Sequence, residues 1–330
     1  MALSFFDLTP DLILDSVEDA LDLVSQNRRA TGRNWILNSI ENRVYEIELE
    51  DDTRIIGKFY RPQRWNIDQI LEEHKFSQKL ADSEVPALTP LQLTNGLAPT
   101  LASVLGSEKD SSIYFALFPK FQGKSHDELS LEDLKILGRF LGRMHQVGSA
   151  FDIKHRLQLN TENYGWNSLD YLMNSDFMND NVKSRYESIV QPLLEVCEER
   201  LNGIPLLAIH GDCHLGNILW QQGQPLLLDF DDMLLGPAVQ DIWMICNGRE
   251  EMDLKKREVL LDAYETFMPF DYSQLDIIEA LRALRMVHYS AWIAKRWDDP
   301  SFPKLFPNFA SDSFWFEEIQ ALSECRELLL

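Results

Sequence analysis

The stretch Leu206–Asp232, LLAIHGDCHLGNILWQQGQPLLLDFDD, decides how this chain is read. Pro205–Ile209 is a short apolar run of the length of a buried strand, and it delivers the chain to a loop beginning His210-Gly211-Asp212. Asn217 lies five residues after Asp212 on the same loop. Ile218–Trp220 and the PLLL run from Pro225 flank Gln221–Gln224, a glycine-bearing turn, so the spacing predicts a hairpin. The return strand ends at Asp229, beside the loop it left. Two carboxylates and one amide therefore gather at one spot.

Such a group suits phosphoryl transfer, which asks a protein mainly for positioning and charge neutralisation. Mg²⁺ takes hard oxygen ligands, commonly one or two carboxylates with phosphate oxygens and water. Asp229 and the Asn217 side-chain oxygen fit that role, and Asp212 fits the task of orienting a hydroxyl and accepting its proton. Within the DFDD run, Asp231 and Asp232 stand as alternative metal ligands, with Asp229 favoured because it directly follows the apolar strand. His210 and His214 lack a third ligand at metal spacing and read as hydrogen-bonding groups of the loop. Cys213 abuts Asp212, and a thiol there is reactive only if it is accessible and its pKa is lowered.

HGDCHLGN followed by LDFDD resembles the signature of the aminoglycoside phosphotransferase and choline kinase superfamily. Longer strings resemble the bacterial stress response kinase A family: NSIENRVYEIEL, GKFYRPQRW, DQILEEHKFSQKLADSEVP, LGRFLGRMHQVG, GPAVQDIWMICNG and YSAWIAKRWDDPSFPKLFP. They run from about residue 34 to 310, nearly the whole chain. The resemblance implies a protein-kinase-like, two-lobed fold with an N-lobe over 1–118 and a C-lobe over 119–330. It implies ATP and Mg²⁺ as cofactors, Asp212 as catalytic base, and Asn217 and Asp229 as Mg²⁺ ligands. Lys58 would hold the α- and β-phosphates, Glu73 would pair with Lys58, Ser39 would lie close to ATP, and Leu117–Phe121, Phe118 included, would be the hinge receiving adenine. Asp241 resembles the residue that braces the catalytic loop. A protein serine or threonine is the expected acceptor, with autophosphorylation. A small hydroxyl compound (an aminoglycoside, choline or homoserine) is the alternative, and a catalytically silent binding module is disfavoured because all four key residues are present. Two departures stand out. The NSIEN loop has no glycine, so no Gly-rich phosphate lid is present, and no activation segment is recognisable.

The remaining sequence agrees with an α+β chain. A helix is predicted over 8–25, with Thr9 as cap and Pro10 in its first turn. Strands are predicted over 34–37, 43–49, 53–60 and 113–118. In the second of these, Val44, Glu46 and Glu48 alternate with Tyr45, Ile47 and Leu49. Lys58 shares a face with Ile56 and Tyr60, and a lysine on a partly enclosed face needs an anionic partner. Glu73 is preferred over Glu72 because it follows the stripe of Phe76 and Leu80. Helices are predicted over 67–80, 131–147 and 181–200, and from Val239 onward. The aromatic run near 289–297 reads as helix packing.

The 330 residues, 45% of them hydrophobic, are ample for a large core. A net charge of −22 disfavours nucleic acid and anionic membranes as partners. It would suit a cationic acceptor or a basic partner. The opening segment MALSFFDLTPDLILD lacks a basic region and a long apolar run, so a soluble, cytoplasmic protein is expected, as a monomer. The four cysteines share no metal or disulfide spacing and read as reduced thiols.

Overall fold

The computed structural model describes residues 5, 8–26, 28–37, 39–105 and 112–330. Residues 1–4, 6 and 7 of the opening segment and Asn38 of NSIEN lie outside the described residues. The chain forms two compact units, Met1–Ile136 with Leu215–Asp231, and Leu137–His214 with Asp232–Leu330.

The first unit opens with α1 (Pro10–Ala20), where Thr9 accepts a hydrogen bond from the Leu12 amide. Strands β1 (Ala30–Ile36), β2 (Arg43–Leu49) and β3 (Arg54–Phe59) run antiparallel. A bulge between Ala30 and Asn34 carries β1 further toward the N-terminus than the apolar pattern alone predicts. Helix α2 (Ile67–Asp82) starts at a capping box in which Asn66 and Gln69 satisfy each other's backbone amides. β4 (Ala102–Ser103) and β5 (Tyr114–Pro119) complete a sheet in the order β1-β2-β3-β5-β4.

Alternation divides this sheet into two faces. Tyr45, Ile47, Leu49, Ile55, Phe59, Phe115 and Leu117 point to α1 and pack on Ile13, Val17 and Ala20. Each large aliphatic side chain buried there stabilises the unit by roughly 1.5–3 kcal/mol. The opposite face holds Ile56, Tyr60, Ala116 and Phe118 with Ile70 of α2. Lys58 lies on that second face, opposite Val44 on β2 and Ala116 on β5. Glu46, on β2 of this face, meets Arg54 at 2.8 Å and Lys120 at 2.6 Å.

α3 (Leu131–Ser149) starts in the first unit and continues into the second. Then follow α4 (Asn167–Met173), α5 (Asp180–Leu201) and the short strand β6 (Leu207–Ile209). The hairpin β7 (Ile218–Gln221) and β8 (Gln224–Leu227) belongs to the first unit, and its tight turn places Gln222 and Gly223 at positive φ. β9 (Leu234–Gly236) pairs antiparallel with β6 back in the second unit. α6 (Val239–Ile245), α7 (Glu251–Tyr264), α8 (Ile278–Lys295), α9 (Phe302–Leu305) and α10 (Asp312–Leu329) finish the chain. This is the α+β architecture read from the sequence, with an antiparallel N-terminal sheet and a helical C-terminal region.

Between α8 and α10, Ser290 donates to Glu318 at 2.9 Å, and burial pushes the Glu318 carboxyl up to about 7. No helix among the described residues is long and apolar enough to cross a membrane. All four cysteines are buried and unbridged.

Candidate active site

In the first unit the site is built around Lys58. Its ammonium lies 3.3 Å from Glu73, 2.7 Å from Asp229 and 3.4 Å from Asp231. Burial alone would lower the Lys58 pKa, but Asp229, Asp231 and Glu73 outweigh it and hold the amine well above its ordinary value. The lysine is therefore a fixed cation. Glu73 reaches it because α2 packs its Ile70, Phe76 and Leu80 stripe inward, which turns Glu73 inward as well.

The hairpin explains why Asn217 and Asp229 are neighbours. Ile218 pairs with Leu227, and one step outside that pair the Leu228 amide donates to the Asn217 carbonyl at 2.9 Å. Asp229 follows at once, with φ +55°, a left-handed conformation that aspartate tolerates better than most residues. Its side chain stays 47% exposed. Asp231, two residues on, is enclosed instead. It pairs with Arg64 and accepts from Asn42 Nδ2 at 3.1 Å, besides its contact with Lys58. Of these two carboxylates, Asp229 is the one with open coordination space. Asn217 and Asp229 offer the hard oxygen donors that a Mg²⁺ shared with phosphate requires, so the residues present fit that ion.

Ser39 sits half-buried in the loop between β1 and β2. Phe118 lies on the Lys58 face, with its ring edge-on to His74. Leu117 does not. Its side chain is wholly buried on the α1 face, opposite Gly57, and its carbonyl accepts from the Leu91 amide at 2.6 Å. Strand alternation is the reason: neighbours of Phe118 must face the other way.

In the second unit, Asp212 follows β6. Burial opposes its ionisation, yet His214 and Arg285 together hold its carboxyl well below the usual carboxylate range. Arg285 Nη2 donates to Asp212 Oδ1 at 2.7 Å, and His214 Nε2 is 3.4 Å from Oδ2. The loop is held from beneath by Asp241, which is fully buried. Asp241 accepts from the His210 and Gly211 amides, each at 2.9 Å, and contacts His145 Nε2 at 3.1 Å. Gln240 Nε2 donates to the Gly211 carbonyl at 3.2 Å. Gly211 has φ +82°, and a Cβ there would come within 2.3 Å of the Asp232 carbonyl, so the loop requires glycine at this position. His210 is buried and accepts the Asp212 amide at 3.3 Å. Cys213 is buried, and burial with Asp241 and Asp212 nearby pushes its thiol well up, which makes it inert.

Sequence reasoning passed over Arg64, Asn42, His145 and Arg285. Arg64 and Asn42 sit in RPQRW and NSIEN, strings that carry the resemblance, and that was their only signal.

The comparisons with known proteins agree on one family. Residues 36–278 match the model of the phosphotransferase enzyme family. Stress response kinase A of Escherichia coli is 37% identical over 329 residues, covering 99% of this chain and 95% of that protein. The serine/threonine protein kinase RdoA of Salmonella typhimurium is 35% identical over the same shares. Among solved structures, an amicoumacin kinase in complex with AMP-PNP and Ca²⁺ superposes with a TM-score of 0.72 at 17% identity, covering 92% of each chain. A microcompartment-associated aminopropanol kinase gives 0.69 at 17% identity, over 96% of this chain and 95% of that one. The chain thus belongs to the phosphotransferase enzyme family, on its stress response kinase A branch, and is a phosphotransferase with an alcohol group as acceptor.

Proposed function

We propose that the protein is an ATP- and Mg²⁺-dependent serine/threonine protein kinase that also phosphorylates itself. The observation that carries the reading is Lys58, a buried fixed cation held at once by a helix glutamate and by the carboxylate that ends the β8 return. A buried lysine braced in this way serves to grip an anion such as a phosphate chain. Similarity over 99% of the chain to RdoA of Salmonella typhimurium, a serine/threonine protein kinase, supports a protein hydroxyl as acceptor.

In this reading Lys58 binds the α- and β-phosphates of ATP, with Glu73 fixing its direction. Phe118 and the segment through Phe121 line the adenine side, and Ser39 lies near the phosphates. Asn217 and Asp229 would hold Mg²⁺, which when bound would offset the negative charge of the phosphates. Asp212 accepts a hydrogen bond from the serine or threonine hydroxyl and takes its proton as the new O–P bond forms. The bond from the γ-phosphorus to the bridging oxygen breaks, and its electron pair leaves with ADP. A carboxylate held this acidic is a weak base, so Asp212 acts chiefly by aiming the hydroxyl. That suffices where the transition state is loose and the proton moves late.

The test is γ-labelled ATP with Mg²⁺ and the full-length protein, beside Asp212→Ala, with protein substrates and a panel of small hydroxyl compounds in parallel. Label on protein that vanishes in the variant supports the proposal. Label confined to a small compound replaces it with a metabolite kinase.

A further inference from the structure

Helix α8 presents an unusual solvent face for an acidic protein. Between Ile278 and Arg296 it carries Arg282, Arg285, Lys295 and Arg296 against a single carboxylate, Glu279, and that carboxylate is taken up by Arg282 at 3.2 Å. The chain as a whole carries −22. Arg285, Tyr289, Trp292 and Arg296 fall at spacings of four, three and four, which is one helical stripe. Tyr289 is 44% exposed and stacks on Trp292, with ring centroids 5.3 Å apart and planes 16° apart. The Arg296 guanidinium sits 5.2 Å over Trp292. At its other end the stripe reaches the candidate base, because Arg285 donates to Asp212 at 2.7 Å. That bond uses Nη2 alone. Guanidinium carries five N–H donors, and the Arg285 side chain is 37% exposed, so donors remain for a visiting group.

We infer that the α8 stripe is the acceptor-docking surface, and that it selects a peptide carrying acidic residues beside the hydroxyl that is phosphorylated. The inference rests on the protein-kinase reading above and names the class of its substrate. A hydroxyl at Asp212 lies next to the spare donors of Arg285, which match a carboxylate in planar, two-point fashion. Tyr289 and Trp292 then offer flat apolar surface along the chain. Arg296 lies eleven residues beyond Arg285, about 16 Å along a helix axis. An extended peptide spans that distance in about five residues. The preferred acceptor therefore has one acidic group adjacent to its serine or threonine and a second about five residues away. A cationic acceptor, which net charge alone would favour, meets a like charge at the point of reaction.

Arg285 is also a positioning residue, since together with His214 it holds the Asp212 carboxylate in place and keeps it ionised. A charge at this location governs both recognition and the acid limb of the rate profile.

The experiment uses the full-length protein and three fluorescent serine peptides of one backbone, with glutamate, glutamine or lysine at the two flanking positions. Binding by anisotropy and transfer from γ-labelled ATP, the latter also across a pH series, are read for wild type, Arg285→Lys, Arg285→Gln, Arg285→Glu and Arg296→Glu. Wild type should bind the glutamate peptide about tenfold more tightly than the glutamine one, with lysine weakest. Arg285→Glu should invert that order, Arg296→Glu should flatten it, and Arg285→Lys should retain it. Arg285→Gln should move the acid limb of kcat to higher pH, which a purely structural role would not do. If Arg285→Glu and Arg296→Glu both fold and keep the wild-type ranking, the inference is overturned. Should Arg285→Glu fail to fold, Arg296→Glu decides by the same ranking. Correctly ranked binding without transfer to any peptide would support the docking surface while removing the protein-kinase reading.

Discussion

Replacing Lys58 by methionine keeps the aliphatic stem and deletes the charge where three carboxylates converge. Glu73 and Asp231 are nearly inaccessible there, while Asp229 is half open to water. Asp231 retains Arg64 and Asn42, and Asp229 can be resolvated, whereas Glu73 loses its contact with the ammonium in a place closed to water. Removing one partner of a buried ion pair costs about 3–5 kcal/mol. The lower end, about 3 kcal/mol, is expected here. In the first unit, of roughly 150 residues, that corresponds to a melting shift of about 6–12 °C. The assay is urea unfolding followed by circular dichroism at neutral pH, for Lys58→Met, Glu73→Gln and the double variant. The double variant should recover most of the loss, because it removes the Glu73 carboxylate together with its cation. A double variant whose destabilisation equals the sum of the single ones would refute the coupling.

Three further outcomes follow from the same geometry. Asp212→Asn should lower kcat by about 10²–10⁴ while ATP affinity, measured by calorimetry, stays put. In the wild type, Asp212 stays ionised well below the usual carboxylate range, so it adds no falling limb to kcat between pH 5 and pH 7. Asp241→Ala leaves the His210 and Gly211 amides without their buried acceptor and should cost about 3 kcal/mol or more, together with most of the transfer activity. Glu318, with its carboxyl pushed up to about 7, favours the folded state in acid. That contribution is complete below pH 4.5 and fades as pH rises through about 7, so Glu318→Gln should flatten a change on the order of 3 kcal/mol in unfolding free energy.

What could be read in the sequence was what depends on short separations. Asn217 and Asp229 were legible together because a tight hairpin fixes the distance between its two ends. The Lys58 face was legible through period-two alternation in β2 and β3, and the start of α1 through Thr9. Long-range pairings left less trace. Three residues, Leu234–Gly236, look like any apolar loop until they meet β6. Arg285 lies 73 residues from Asp212, in a helix whose Leu281, Leu284 and Val287 dominate its pattern. The aromatic run beyond it was read as packing, and Trp292 does pack on Phe302, but the same stripe leaves Tyr289 in solvent. Leu117 was read with Phe118 as part of the hinge that receives adenine, yet alternation along β5 sends these two neighbouring side chains to opposite faces.

The first unit is assembled from two pieces of chain, and the smaller, Leu215–Asp231, lies far downstream of the larger. A ribosome extruding this protein releases Lys58 171 residues ahead of Asp229. At 5–20 residues per second that interval is about 10–30 s. Throughout it the nascent sheet holds a lysine and Arg64 facing inward, with two of their carboxylate partners not yet synthesised. The sheet therefore cannot close to its final state in the order in which it is made. A fragment ending at Ile136 carries the same defect permanently.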